Sequence, residues 1–252
     1  MMAGKIIQVK HTTFESGKTN IAVPITGKIS TDTISQVKQA LNHHPDVIEW
    51  RIDYDRDVLD HENYLDTVDH IQSLIGNTPL LTTFRTAHEG GISSLEDAEY
   101  FSIYRWLLEN RLTDMLDIEL NRNKATVDFL INLAHHQNIP VILSNHDFQS
   151  TPDETEIISK LKRMQERNAD IGKIAVMPHT SKDVLTLLNA TEKANRELEI
   201  PIITMSMGDL GKVSRITGPL FGSTLSFATV AEASAPGQLT VEAVRKGMAT
   251  LN

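Results

Sequence analysis

Eight short apolar runs, each about the length of a strand, recur along this chain with helical patterns between them. They fall at 21–27, 47–54, 79–86, 115–121, 139–148, 171–178, 200–207 and 223–230. Runs of this kind, bounded by turn residues, read as strands buried on both faces. Between them, Ile34, Val37 and Leu41 follow Ser30-Thr31 at helical spacing. Ile157, Ile158, Leu161 and Met164 follow a start signature with Thr151 as cap, Pro152 at the first helical position and Glu154 at the third. Ser181 opens a helix carrying Val184, Leu187 and Leu188, and the last helix runs from about Thr240 to Met248. Strands alternating with helices make a parallel sheet. Eight such units without a linker predict an α/β chain folded as a single (β/α)₈ TIM barrel over residues 1–252. An open doubly wound sheet fits less well, because Thr26-Gly27-Lys28 lacks the glycine pattern of its first turn. Ile6–Lys10 and Thr12-Thr13-Phe14 precede the first barrel strand and predict a β-hairpin that closes the barrel bottom.

Strands buried on both faces should be almost continuously apolar, yet five of these carry charged or polar groups, and at period two. Glu49, Arg51 and Asp53 share one face of the second run, while Ile48, Trp50 and Ile52 share the other. Arg85 aligns with Leu81 and Thr83, Asp117 and Glu119 with Met115, and Ser144 and His146 with Ile142. Lys173 aligns with Ala175 and Met177. The apolar faces suit the helices, which turns the charged faces into the barrel. A single inward ion pair is compatible with structure alone; inward charge on five consecutive strands implies a site, placed at the C-terminal strand ends.

Each residue has a plainer reading in isolation. Lys173 lies early in its run and would snorkel to water. His146-Asp147 reads equally as a capping pair, Glu89-Gly90-Gly91 as a loop, and Arg215 as a solvated helix residue. His43-His44 and His135-His136 read as surface pairs with no metal signal, since adjacent helical side chains diverge. Together the strand residues imply more. A lysine amine made neutral by burial or by nearby cations forms imines with carbonyls. Arg51, Arg85 and Arg215 would supply those cations and clamp a carboxylate. A histidine oriented by a carboxylate such as Glu89 would move protons. The set points to imine chemistry on a small anionic carbonyl compound, with elimination, aldol cleavage and isomerisation all open.

Composition narrows the partners. The net charge of −9 argues against nucleic acid or an anionic membrane. With no cysteine there is no disulfide or thiolate chemistry, which fits a cytoplasmic protein. No apolar leader is expected at Met1–Ile7, and no segment suits a bilayer span.

Seven ordered segments then carry a resemblance. They are Glu49-Trp50-Arg51-Ile52-Asp53, Thr83–Gly91, Ser144–Phe148, Asp170–Pro178, Thr204-Met205-Ser206-Met207-Gly208, Ser214-Arg215 and Ala233-Ser234-Ala235-Pro236-Gly237-Gln238. Over nearly its whole length the chain resembles type I 3-dehydroquinate dehydratases of the shikimate pathway, on the route to aromatic amino acids. The resemblance implies that Lys173 forms a Schiff base with the C3 ketone of 3-dehydroquinate. It implies that His146 takes a C2 proton and gives one to the departing C1 hydroxyl, with Glu89 as its partner. Arg215 would hold the substrate carboxylate, Glu49, Arg51 and Arg85 would bind ring hydroxyls and order the site, and Ser234 and Gln238 would come from a lid. The family is homodimeric as a rule and uses neither metal nor organic cofactor. One departure is Pro24, where some members have a serine that reaches substrate. A class I aldolase or transaldolase is the alternative, with only Phe221-Gly222-Ser223 as a faint phosphate site. A metal-dependent barrel with Glu49, Asp53, Glu119 and His146 as ligands, and a non-catalytic anion-binding barrel, are further rivals.

Overall fold

The computed structural model describes residues 6–93, 95–230 and 233–251; residues 1–5, read above for a leader, lie outside them. Two short strands, β1 (Ile7–Val9) and β2 (Thr12–Phe14), pair antiparallel. The eight barrel strands follow in chain order: β3 (Asn20–Ile25), β4 (Val47–Arg51), β5 (Leu80–Thr83), β6 (Met115–Glu119), β7 (Val141–Asp147), β8 (Ile171–Val176), β9 (Ile202–Ser206) and β10 (Leu225–Phe227). Each pairs in parallel with its neighbour, and β10 returns to β3. A parallel bridge between Ile202 and Ser223 joins the last two members of the ring. Eight helices lie between and after the strands: α1 (Ser30–Leu41), α2 (His61–Ile75), α3 (Asp97–Glu109), α4 (Lys124–His136), α5 (Glu154–Glu166), α6 (Ser181–Glu197), α7 (Gly208–Phe221) and α8 (Val241–Ala249).

The period-two reading of the strands holds. The outward residues, among them Ile48, Trp50, Leu80, Leu116, Leu143 and Ile174, belong to one apolar cluster with the helices. Trp50 stacks on Tyr64 of α2 at 4.6 Å between ring centroids. The inward residues of the lower barrel, Ala22, Val47, Leu81, Met115, Ile142, Ile171, Ile203 and Leu225, form a second cluster with Ile7, Val9 and Phe14 of the hairpin. The hairpin therefore plugs the barrel bottom, as expected. Asn20 Nδ2 donates to Thr13 O at 2.8 Å and Thr12 Oγ1 to Asp46 O at 2.8 Å, which ties the plug to the strand starts.

Two local expectations change. The second run stops being a strand at Arg51, and Ile52–Tyr54 turn as a 3₁₀ segment. The cap of α5 is Asp153, not Thr151: Asp153 Oδ1 accepts from Glu156 N at 2.8 Å. The Thr151 hydroxyl is engaged elsewhere, donating to Met177 O at 3.0 Å, so Pro152 lies outside the helix.

Candidate active site

Above the apolar plug the barrel interior turns polar. A cavity opens at the C-terminal strand ends, and all nine residues named from the sequence line it: Glu49, Arg51, Arg85, Glu89, His146, Lys173, Arg215, Ser234 and Gln238. Gly90, Phe148, Ala175, Met205, Met207, Ala235 and Phe227 complete the wall.

Lys173 does not snorkel; it is 4% exposed. Its Nζ donates to Asp117 Oδ2 at 2.8 Å, lies 3.9 Å from Glu49 Oε1 and sits 4.3 Å from the centroid of the Phe227 ring. Its early place in β8 is no obstacle. Asp117 is in register with Ile142, and Ile142 with Ile171, so Lys173 stands one inward step beyond Asp117.

Asp117 and Glu119 anchor the network beneath the cavity. Arg85 Nη2 donates to Asp117 Oδ1 at 2.6 Å, and Arg85 Nη1 reaches Ser144 Oγ at 3.0 Å, Glu119 Oε1 at 3.3 Å and Glu89 Oε2 at 3.5 Å. Burial works against this cation, but the three carboxylates outweigh it and hold its pKa well above the ordinary arginine value. Arg85 thus spends its donors inside the protein. Arg51 commits Nε and Nη2 to a two-pronged pair with Asp53 at 2.8 Å on each prong.

Glu89 ends an ordered 3₁₀ turn, Ala87–Glu89, rather than lying in a free loop. Glu119 holds its start through Thr86 N at 2.8 Å and Thr86 Oγ1 at 2.9 Å. Glu89 Oε2 then lies 2.9 Å from His146 Nδ1 and accepts His146 N at 3.1 Å, while Asn145 Nδ2 donates to Oε1 at 3.2 Å. That geometry puts the proton of neutral His146 on Nδ1 and leaves Nε2 without a partner among the described residues. Burial pushes Glu89 up to about 7 against the pull of Arg85. Burial pushes His146 well below its ordinary value, with Arg85 and Lys173 adding to the shift. Neutral imidazole with a bare Nε2 is a proton acceptor. The next residue, Asp147, takes the capping role: its Oδ1 accepts from Gln149 N and Ser150 N at 2.9 and 2.8 Å.

Arg215 is 2% exposed, on α7, and no carboxylate pairs with it among the described residues. Nη1 donates to Phe227 O at 3.2 Å and Nη2 to Pro236 O at 3.1 Å, while Nε, also buried, has no partner. Burial lowers its pKa to about 10. A buried, uncompensated guanidinium on a cavity wall is an anion site awaiting its anion. Gln238 and Ser234 bond each other, Gln238 Nε2 donating to Ser234 Oγ at 3.0 Å and Ser234 N to Gln238 Oε1 at 2.8 Å. Gly237 seats this segment on α7: its φ is +75°, and a Cβ there would come within 2.2 Å of Gly208 O.

Sequence reasoning placed Asp117 and Ser144 on the inward face without a task; they prove to hold Lys173 and Arg85. It missed Phe227, although period two in the last run already pairs it with Leu225. The histidine pairs lie away from the cavity, with His43 against Glu242 and His135 Nε2 2.8 Å from Asp170 Oδ2.

The family model for type I 3-dehydroquinase matches residues 21–252. The 3-dehydroquinate dehydratase of Lactiplantibacillus plantarum is 45% identical over 239 residues, 95% of each chain. That of Enterococcus faecalis is 42% identical over 98% of each. Among solved structures, the type I 3-dehydroquinate dehydratase of Clostridium difficile with covalently modified comenic acid superposes with a TM-score of 0.94 at 39% identity, covering 99% of this chain and 98% of that one. The Geobacillus kaustophilus 3-dehydroquinate dehydratase does so at 0.95 and 33%, covering 100% and 98%.

Proposed function

The chain belongs to the type I 3-dehydroquinase family, and on that premise we propose that it is a 3-dehydroquinate dehydratase working through an imine on Lys173. The observation that carries the reading is the cavity itself, with a buried lysine at its floor, neutral His146 on its wall and Arg215 buried beside it without a carboxylate partner among the described residues. The covalent ligand named for the Clostridium difficile relative supports a nucleophile in the family's site.

Substrate enters with its carboxylate on Arg215, which gains the counter-charge it lacks. The C3 ketone then meets Lys173, and the lysine, entering as an ammonium, gives up two protons with the ketone oxygen as water to leave an iminium. That iminium is the electron sink, so the reaction asks nothing of a metal or organic cofactor. His146 Nε2 takes the C2 proton, the pair of electrons flows to nitrogen, and its return expels the C1 hydroxyl, protonated by His146 as it leaves. Hydrolysis frees 3-dehydroshikimate. Glu89 fixes the imidazole tautomer and offsets the charge His146 acquires. Glu49, Ser234 and Gln238 are the groups with capacity left for ring hydroxyls. Arg85 acts mainly by holding the wall, through Asp117, Glu119 and Ser144, while Arg51, with Nε and Nη2 on Asp53, keeps Nη1 for ring hydroxyls. The inward position of Pro24 offers no hydrogen bond to substrate. The aldolase alternative gains no observation in its favour.

We also infer a homodimer and a cytoplasmic setting, the first supported by the family's habit and the second by the absence of cysteine. Light scattering at micromolar concentration tests the former. The deciding experiment for the chemistry is borohydride reduction in the presence of 3-dehydroquinate, followed by peptide mass analysis. Irreversible loss of activity with a reduced adduct on Lys173 is expected. An unmodified Lys173, or an adduct elsewhere, would sink the imine.

A further inference from the structure

Asp117 lies beneath the cavity, is 0% exposed, and has no part in the steps above. Its two oxygens are divided. Oδ1 takes Arg85 Nη2 at 2.6 Å and Ser144 Oγ at 2.5 Å, and Oδ2 takes Lys173 Nζ at 2.8 Å. Tyr104 OH donates to its main-chain carbonyl at 2.6 Å, which fixes the strand from behind. A carboxylate so held cannot swing away when Lys173 reacts. Burial pushes its carboxyl up, but Arg85 and Lys173 together outweigh that and keep it ionised far below neutral pH.

We propose that Asp117 is the counter-ion of the catalytic iminium, its Oδ2 staying on the lysine nitrogen and keeping that nitrogen protonated through the reaction. The inference rests on the imine reading of Lys173. Written from the ammonium, imine formation balances without an outside proton. A C–N double bond replaces the C–O double bond, two of the three nitrogen protons leave with the oxygen as water, and one stays. The nitrogen carries one positive charge before and after, so Asp117 keeps the same partner.

The other groups around this nitrogen show why it needs one. Glu49 faces it from β4, but at 3.9 Å and with Oε1 already accepting the Thr83 hydroxyl at 2.9 Å. Phe227 from β10 offers its ring face, and Met205 on β9 is uncharged. His146 on β7, once it has taken a proton, Arg85 on β5's end, and Arg51 and Arg215 all oppose a cation. An imine nitrogen is a weaker base than an amine, so those cations would strip its proton at neutral pH. A carboxylate within hydrogen-bond distance favours the charged form by about one to three pK units. The same carboxylate disfavours the neutral enamine, so Asp117 widens the pH range of competence more than it raises the maximal rate.

The readout is therefore the pH profile of kcat. Asp117→Asn is expected to move the alkaline limb about one to three units toward acid, with Asp117→Glu moving it back. A folded Asp117→Asn enzyme with an unmoved limb would overturn the proposal. Should that variant fail to fold, the unaltered enzyme carrying ε-¹⁵N lysine answers by NMR with substrate present. The imine nitrogen should keep its proton across the active range, and an unprotonated imine at neutral pH would overturn the counter-ion. Borohydride separates the two claims: no adduct in the unaltered enzyme removes the imine and Asp117's role with it, whereas an adduct with an unmoved limb removes only the latter.

Discussion

Arg215 and the Glu89–His146 pair carry opposite kinds of cost at the scale of single residues. Arg215 is destabilised by burial until an anion arrives. Arg215→Met should raise KM and lower kcat/KM about 10- to 100-fold, the worth of a hydrogen bond to a charged group. The urea midpoint should stay level or rise, because an uncompensated buried cation is removed. Steady-state kinetics and urea unfolding check the two halves. In the Glu89–His146 pair the signs can be worked out. Folded His146 stays neutral below its usual 6.5, so the unfolded chain binds the extra proton and stability drops as pH falls through that value. Folded Glu89 takes its proton near 7 rather than 4.5, so the folded chain binds the extra proton and stability rises as pH falls from 7 to 4.5. In the intact pair the two slopes nearly cancel. Glu89→Gln should expose the first and His146→Gln the second, each at most about 1.4 kcal/mol per pH unit. Urea midpoints from pH 5 to 8 should therefore tilt in opposite directions; parallel tilts would refute the assignment. His146→Ala should still form the imine but lose about 10²- to 10⁴-fold in kcat.

At the scale of elements, the site depends on a short turn pressed against a strand end. A Cβ at Gly91 would lie 1.8 Å from Arg85 O and 3.1 Å from Asp53 Oδ2, so Gly91→Ala must push the Glu89 turn off its seat. A displacement of this kind costs about 10²-fold in turnover when it moves a catalytic group by an ångström. Gly17, in the turn after β2, gives the contrast. Its φ is +84° with nothing within 4 Å of a Cβ, so Gly17→Ala costs only about 1–2 kcal/mol of left-handed strain and leaves kcat/KM alone. Comparing the two variants by kinetics and thermal melting separates seating from strain. The starts of α6 at Ser181 and of α8 near Thr240 were readable because they are made locally, Thr180 and Thr240 capping them from the chain itself. The start of α5 was misread because the Thr151 hydroxyl is claimed by Met177 O, 26 residues away.

For the whole molecule, the barrel divides into a stabilising floor and a costly top. Phe14, 0% exposed, belongs to the apolar cluster of the lower barrel and is not among the residues that line the cavity. Phe14→Ala should cost about 3–5 kcal/mol, while kcat/KM stays within about twofold. Asp117→Asn should cost a similar amount at the top, since it removes the charge that Lys173 Nζ and Arg85 Nη2 share, but with its pH profile altered as well. Urea unfolding alongside kinetics distinguishes floor from top.

The patterns along the chain were enough to settle the number of barrel strands, the hairpin plug at the barrel bottom and which side chains face inward. A pleated strand offers only two faces, and the helices take the apolar one. The seven matching segments named the family. What the chain could not reveal was how the inward charges divide among themselves. Arg51, Arg85 and Arg215 look equivalent as letters, yet two are bound to carboxylates and one is left open. Lys173 looked early in its strand until its neighbours' register was known. Both answers depend on which side chains meet across the barrel at 3 Å, a distance that strand stagger sets and sequence spacing does not encode.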